Sequence, residues 1–225
     1  GGGIYISGPG TSAVSNSTLS SNSASSGGGI YVSGLGTLAV SNSTLSSNSA
    51  SSGSSIASSA AHVVLVSNIV AGSAGSDLEG SQFDLQGYNV VSNPFGANVS
   101  IIGATNLTGL AASPLNLGTL ANNGGSTQTI SLGAGSVAIG AGRCDGFAPA
   151  STVTTDQRGV TRKVVCDAGA FETGALIQSP PIANNDTGST NEDTPVSIPV
   201  LVNDTHTFNL KVTHLTQPAH GSTSI

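Results

Sequence analysis

Apolar positions in the first part of the chain fall in short alternating runs separated by Gly, Ser and Asn, and the runs recur at a fixed distance. In Ile30-Tyr31-Val32-Ser33, Ile30 and Val32 share one face, and in Leu38-Ala39-Val40-Ser41, Leu38 and Val40 do the same. Alternation of this kind marks a half-buried strand, because successive side chains of an extended chain point to opposite sides. After Asn42 the apolar phase moves from even to odd numbers, since the next inward residue is Leu45, and a turn at Asn42-Ser43 produces that shift. The pattern predicts three short strands per unit, with Gly-rich or Ser/Asn corners between them.

The unit is written twice. Gly1 to Ser26 and Gly27 to Ser52 are 26 residues each and differ only at Ile6/Val32, Pro9/Leu35 and Ser12/Leu38. A period in this range is the mark of a solenoid, in which a unit buries its apolar face only by stacking on the next. Three strands per coil, paired in parallel about 4.8 Å apart, make a parallel β-helix with about 26 residues per coil. Adding one period to Ile30, Leu38, Val40 and Asn42 gives Ile56, Val64, Val66 and Asn68, a third and diverged coil in the same phase. Asn16, Asn42 and Asn68 are then expected to stand above one another at a corner as an amide ladder, the alternative being that each simply suits a turn. The stretches GYNVVSN (Gly87 to Asn93), VSIIG (Val99 to Gly103) and STQTISL (Ser126 to Leu132) read as strands of later, looser coils. Outward columns carry hydroxyls, Thr11/Thr37, Ser17/Ser43 and Thr18/Thr44, the last continued by Val70. They form a neutral hydrogen-bonding face too short to be a water-ordering Thr array.

Composition sharpens this picture. With 31 Gly, many Ser and only 7% charged residues, a disordered Gly/Ser tract is the competing reading. The 37% hydrophobic content and the fixed register of β-branched residues and Leu oppose it. No Asp, Glu, Lys or Arg occurs from Gly1 to Ser76, where His62 is the one side chain that titrates near neutrality, so acid, base and metal chemistry have little to work with there. Five basic residues and a net charge of -6 exclude a phosphate-binding surface and hence nucleic acid as a partner. Apolar runs such as Val63 to Val66 are far shorter than the ~20 residues that span a bilayer. The chain has no Met and no basic region leading into an apolar stretch, so it is expected to be a fragment whose export signal, if any, lies upstream.

Several segments resemble known families. LSSNSASSGGGIYVSG (Leu19 to Gly34), a hydrophobe-x-x-Asn followed by Gly-Gly-x-Ile, resembles the repeats of polymorphic outer-membrane proteins. SNIVAGSAGSDLEG, GYNVVSN, NNGGSTQTISLGAGSVAIGAG and DQRGVTRKVVCDAGAFE resemble, in that order, the carboxy-terminal half of bacterial β-helix proteins of the choice-of-anchor Q type; Ser73 and Lys163 depart from that pattern, which often has Asn and Pro there. The resemblance implies an all-β, right-handed, pectin-lyase-like solenoid over residues 1–174, ended by a cap, then a linker at 175–182 with Pro180-Pro181 as a stiff break. The tail, with Asn-Asp-Thr, Asn-Glu-Asp-Thr-Pro, Val-Leu-x-Asn-Asp and Gln-Pro-x-His-Gly, resembles the opening of cadherin-like or Ig-like bacterial repeats. It implies a truncated β-sandwich over 183–225, because a whole sandwich needs about 100 residues.

Candidate chemistry is sparse. Charges crowd only at Asp145, Asp156, Arg158, Arg162, Lys163, Asp167 and Glu172. A glycoside hydrolase needs two carboxyl groups about 5–10 Å apart, and Asp156 with Asp167 or Glu172 is the pair to nominate. The favoured alternative is structural, with Arg158 pairing Asp167 or Glu172 to close the end of the solenoid. Cys144 and Cys166, the only cysteines, read as a disulfide if the chain is exported, and otherwise as two buried thiols. Asp186, Glu192, Asp193 and Asp204 are oxygen ligands of the type calcium prefers, but acidic residues at turns are more often simply solvated, so no cofactor is assigned.

These readings point to a non-catalytic part of an exported bacterial protein, extracellular or at the cell surface and monomeric within a larger chain, that contacts glycans or a host or matrix surface as an adhesin or stalk. The alternatives are a carbohydrate-active β-helix, a polysaccharide lyase or glycoside hydrolase, whose catalytic coils lie upstream, and an anchor-proximal spacer.

Overall fold

The computed structural model describes residues 1–73, 75–93, 97–101, 105–110, 112–144, 153–174, 182–204 and 211–225. The chain divides into two units, Gly1–Leu176 and Ile177–Ile225. Of the expected linker at 175–182 only Ile182 is among the described residues, and Asp145 also lies outside them.

The first unit is a parallel β-helix. Its first coil holds β1 (Ile4–Ile6), β2 (Thr11–Ser15), β3 (Thr18–Ser20) and β4 (Ser23–Ser26), and the second repeats them as β5 (Ile30–Val32), β6 (Thr37–Ser41), β7 (Thr44–Ser46) and β8 (Ser49–Ser52). Each pairs in parallel with its counterpart: Ile4 with Ile30, Val14 with Val40, Leu19 with Leu45 and Ala24 with Ala50. Inward residues of the second coil, Ile30, Leu38, Val40 and Leu45, are fully buried. The Gly-Gly corners let backbones meet: a Cβ on Gly28 would lie 2.4 Å from the Ser54 carbonyl oxygen of the next coil.

The third coil departs from the repeat. The strand β9 (Ile56–Val66) runs through the place where the second coil bends at Ser33–Gly36, and then β10 (Ile69–Ala71) follows. Ile30 still pairs with Ile56, but Thr37 pairs with His62 and Val40 with Leu65. One residue has been lost in the bend. Val63 and Leu65, not Val64 and Val66, therefore point into the core beside Leu38 and Val40, and Val70 pairs with Leu45 rather than continuing the Thr18/Thr44 column, where Ile69 stands. The in-phase third coil expected from the 26-residue spacing is corrected by that one-residue slip.

The fourth coil, β11 (Leu78–Leu85) and β12 (Val90–Val91), and the strands β13 (Ala97–Ile101) and β14 (Leu107–Thr108) continue the stack. Coils shorten upward: Ser55 meets Asp77 22 residues on, and Asn89 meets Asn106 after 17. Most of the missing residues belong to the face of β4 and β8, which ends after the second coil, and two more are lost at a register shift between Gly80 and Gln82. In its place the chain turns at Gly72 and Gly75, and the Asp77 carboxylate accepts from Ser55 Oγ (3.2 Å), Ser92 Oγ (2.7 Å) and the Asn93 N–H (2.9 Å). A side chain thus supplies the inter-coil bonds that a strand had made.

The chain then leaves the solenoid. A single helical turn, α1 (Ala112–Leu115), leads into an antiparallel hairpin of β15 (Leu117–Ala121) and β16 (Thr129–Leu132), so the Ser126 to Leu132 stretch is not a further coil. Leu115, Leu132, Ala138 and Ala168 form a second core with Ile69, Ala71 and Val90. Their strands carry apolar side chains on both faces because the outer face is covered by the returning chain.

In the second unit the described residues form turns and extended segments rather than strands. Its Asn-Asp motifs clasp one another: the Asn184 N–H donates to Asp204 Oδ1 (2.8 Å), Asn184 Nδ2 to the Asn203 carbonyl (2.8 Å) and Asn203 Nδ2 to the Asn185 carbonyl (3.2 Å).

Candidate functional site

Two columns of side chains flank the turn before β3, β7, β10 and β12, and they do different work. Asn16, Asn42, Ser67 and Tyr88 hold the corner itself in the left-handed conformation, with φ of 52°, 46°, 57° and 62°. The ladder expected at Asn16, Asn42 and Asn68 does not form, because the slip in the third coil puts Ser67 over Asn42. The amide ladder stands one residue later, at Asn68, Asn89 and Asn106. Asn68 Nδ2 donates to Asn89 Oδ1 (3.1 Å), and Asn89 Nδ2 to Asn106 Oδ1 (2.9 Å). Each amide also bonds a main-chain carbonyl of the coil before: Asn68 to Val40, Asn89 to Leu65 and Asn106 to Leu85. A second ladder, Asn48 with Asn22, spans the first two coils (3.0 Å). Its signal in the sequence is the hydrophobe-x-x-Asn spacing.

The left-handed corner is a docking rail for the returning chain. Asn16 Nδ2 donates to the Thr155 carbonyl (2.7 Å), Asn42 Nδ2 to the Arg143 carbonyl (3.4 Å), and Ser67 Oγ exchanges bonds with the Arg143 main chain (3.1 and 2.7 Å). The Arg143 guanidinium lies 5.5 Å from the Tyr88 ring centre. Residues 136–144 and 153–173 therefore run along the flank of the coils as a strap and not over the end of the solenoid, which corrects the expected cap. Gly169, at φ of 87°, passes so close that a Cβ would sit 2.6 Å from Thr44 Oγ1.

The crowded charges hold this strap together. Asp156 caps a turn at Asp156-Gln157-Arg158-Gly159, accepting from the Arg158 and Val160 N–H groups (2.8 and 3.1 Å). Arg158 pairs with Asp156 (2.6 Å), not with Asp167 or Glu172 as expected, and lies 3.6 Å from the Phe171 ring centre. The short span of the turn brings that carboxylate nearest, while Arg158 reaches only the Glu172 carbonyl (2.7 Å). Glu172 instead faces Arg162 (3.5 Å) and Lys163 (3.6 Å), and Asp167 Oδ1 accepts from the Gly140 N–H (2.8 Å). Arg162 Nη2 also reaches Asn16 Oδ1 (2.9 Å) and the Gly169 carbonyl (2.7 Å). Asp156, Asp167 and Glu172 are 2%, 0% and 0% exposed, which keeps all three from a substrate cleft.

Cys144 and Cys166 form a disulfide. It joins the two ends of the loop that carries Arg158 and Arg162. For 22 residues of separation, the chain-entropy model assigns about 3 kcal/mol. The double variant Cys144→Ser, Cys166→Ser should therefore melt roughly 6–12 °C lower, read by calorimetry under non-reducing conditions. An unchanged melting temperature would show that the strap holds without it.

Beside the second, third and fourth coils, between their corner and the hairpin, lies a cleft of about 380 Å³. Ser73, Ser92 and Asn93 line one side and Leu110, Leu115 and Leu117 the other. Asp77 lies fully buried behind Ser92. Burial pushes its carboxyl above the ordinary 3.8, against the bonds from Ser92, Asn93, Ser55 and Ser73. Burial also raises Glu172, with the Asp167 charge adding to it and Arg162 opposing. A raised folded value means that the native state holds the proton more tightly. The stabilisation is fully present below the unfolded value and is lost as pH rises through the folded one. Urea unfolding of the wild type should thus lose this contribution as pH rises above about 4 and through the folded values, and Asp77→Asn should flatten the slope. A wild-type-to-variant difference that stays constant across that range would contradict it.

Elsewhere, His62 Nε2 and Asp84 Oδ2 form a half-exposed pair at 2.6 Å. Among the described residues no three of His, Cys, Asp and Glu gather as a metal would require. Asp186, Glu192, Asp193 and Asp204 do not converge, because the segment between them is extended and Asp204 is engaged by the Asn184 N–H. Nor does any described helix have the length and apolarity to cross a membrane.

The fold of the first unit defines a parallel β-helix. The family model described as Bacterial Ig domain matches residues 178–225. Neither the curated proteins nor the solved structures yield a match. A β-helix, a bacterial Ig domain and an intramolecular disulfide are together compatible with a surface protein outside the cell.

Proposed function

We propose that the chain is a non-catalytic stretch of an exported bacterial surface protein, its β-helix of the choice-of-anchor Q type, which presents a stiff face to glycans or to a host or matrix surface. The observation that carries this reading is where the charges lie. The first two coils have no Asp, Glu, Lys or Arg side chain, and Asp156, Asp167 and Glu172 are buried in ion pairs and main-chain bonds that hold the strap. Acid–base cleavage of a glycosidic bond needs two carboxyl groups open to the sugar, whereas adhesion to a neutral polymer needs hydroxyls, amides and apolar patches. The outer side of the first coils offers these: Tyr5 is 60% exposed, its ring 5.8 Å from that of Tyr31, and its hydroxyl bonds Ser33 Oγ (2.9 Å).

A glycan array with the intact protein, run beside a reducing-end assay on the glycans it retains, tests the reading. Retention without new reducing ends is expected. New reducing ends would favour the carbohydrate-active alternative, and no retention at all would favour a spacer.

A further inference from the structure

The cleft beside the second, third and fourth coils combines one polar wall with one apolar wall. We propose that it is a binding site for a neutral saccharide, one or two pyranose rings in size, an inference that rests on the glycan-contact reading and adds a second contact to the Tyr5 face. Its volume of about 380 Å³ falls within the range of roughly 300–1,000 Å³ found for small-molecule sites.

The walls select the ligand class. On the solenoid side, Ser92 Oγ donates its proton to Asp77 (2.7 Å), so its lone pairs remain to accept from a ligand. Asn93 Nδ2 gives one N–H to the Gly75 carbonyl (2.9 Å), leaving a second N–H and the amide oxygen. Ser73 Oγ, 3.0 Å from Ser55 Oγ, adds lone pairs that accept, its own proton being engaged with Ser55 and Asp77. Sugar hydroxyls both donate and accept, and this wall meets both needs. The opposite wall is the aliphatic surface of Leu110, Leu115 and Leu117, suited to the C–H face of a pyranose. Among the described residues that line it no side chain is charged, so an ionic ligand would lose its hydration there without a partner.

The wall is also set in advance. Asp77 ties Ser55, Ser92 and the Asn93 main chain together from behind, so these groups need little ordering when a ligand arrives. The hydrogen-bonding residues sit on solenoid corners and the leucines on the returning chain, so the site exists only where the two meet.

The experiment is saturation-transfer and methyl NMR on the whole chain with a panel of neutral probes: methyl glucoside, methyl galactoside, N-acetylglucosamine, cellobiose and chitobiose. At least one probe is expected to bind saturably and shift the leucine methyls at 110 and 117. Asn93→Trp fills the mouth while keeping the main-chain bond to Asp77, and should weaken binding by about tenfold or more with an unchanged melting temperature. Leu117→Glu, which places a charge on the apolar wall, is a second variant with the same expectation, while Val164→Ser, at a fully exposed position of the strap, should leave binding intact. Saturable binding that survives Asn93→Trp, or that moves no leucine methyl, overturns the cleft and leaves glycan contact standing elsewhere. Silence of the panel, when the array retains larger glycans, also overturns the cleft alone. Silence in both overturns the two readings together.

Discussion

Replacing Arg162 by Met is expected to cost about 3–5 kcal/mol, the usual penalty for removing one partner of a buried charged group. Arg162 is 7% exposed and reaches the Thr155, Asp167 and Gly169 carbonyls, Asn16 Oδ1 and the Glu172 carboxylate. Burial lowers its own pKa while Glu172, Asp156 and Asp167 hold the charge in place. Without it, Glu172 faces only Lys163, whose side chain is 46% exposed. Arg162→Lys should recover little, because an ammonium cannot present the planar fork that serves several acceptors at once. Adding Glu172→Gln to Arg162→Met should restore part of the loss, since the stranded charge is then gone. The measurements are urea unfolding and amide exchange of the Asn16 corner. A loss below about 1 kcal/mol, the median of exposed ion pairs, would mean that the strap does not depend on this residue.

The second large effect is expected at Asn89. Its Oδ1 accepts from the Asn68 N–H (3.0 Å) and Nδ2 (3.1 Å), and its Nδ2 donates to Leu65, Gly87 and Asn106. Asn89→Ala would leave several fully buried groups without partners, at about 1–3 kcal/mol for each such group. The bonds act as one network, so we expect about 3–5 kcal/mol in total rather than the full sum. Asn16→Ala, by contrast, removes bonds to the strap alone and should cost less. Equal losses at Asn16 and Asn89 in urea unfolding would argue against a distinct ladder at Asn68, Asn89 and Asn106.

The contrast between these asparagines shows what local pattern conveys. The 26-residue repeat placed Ile30 over Ile4 and Leu45 over Leu19 correctly, because two near-identical coils have bends of identical length. Beyond the second coil the same arithmetic failed by one residue. Alternation within a strand says which residues share a face, but the register between strands depends on how many residues each bend consumes. The bend at Ser33–Gly36 has no repeat to copy in the third coil, where β9 runs straight. The covered outer face did leave a trace: alternation lapses at Ile69-Val70-Ala71 and Val90-Val91, as in strands buried on both sides.

The candidate site was legible only in its parts. Asp77 follows 76 residues without Asp, Glu, Lys or Arg and belongs to no motif, and the leucines at 110, 115 and 117 belong to no periodic run. Arg158 was paired with the wrong carboxylate because sequence distance does not reveal that Asp156 caps its turn. The disulfide between Cys144 and Cys166 was open to inference from their number together with the expectation of export, though not what it fastens.

The sequence by itself determined a solenoid: strand alternation, a written-out repeat and the near absence of charge leave stacked parallel coils as the way to bury Ile, Val and Leu. Only the tertiary structure decided that the chain turns back along its own flank, that the left-handed corner receives it, and that a cleft opens between the two. The physical reason is range. Strand periodicity is written in neighbouring residues, whereas the strap brings together partners as far apart as Asn16 and Arg162, and the contact between them satisfies groups that no local pattern had marked as needing one.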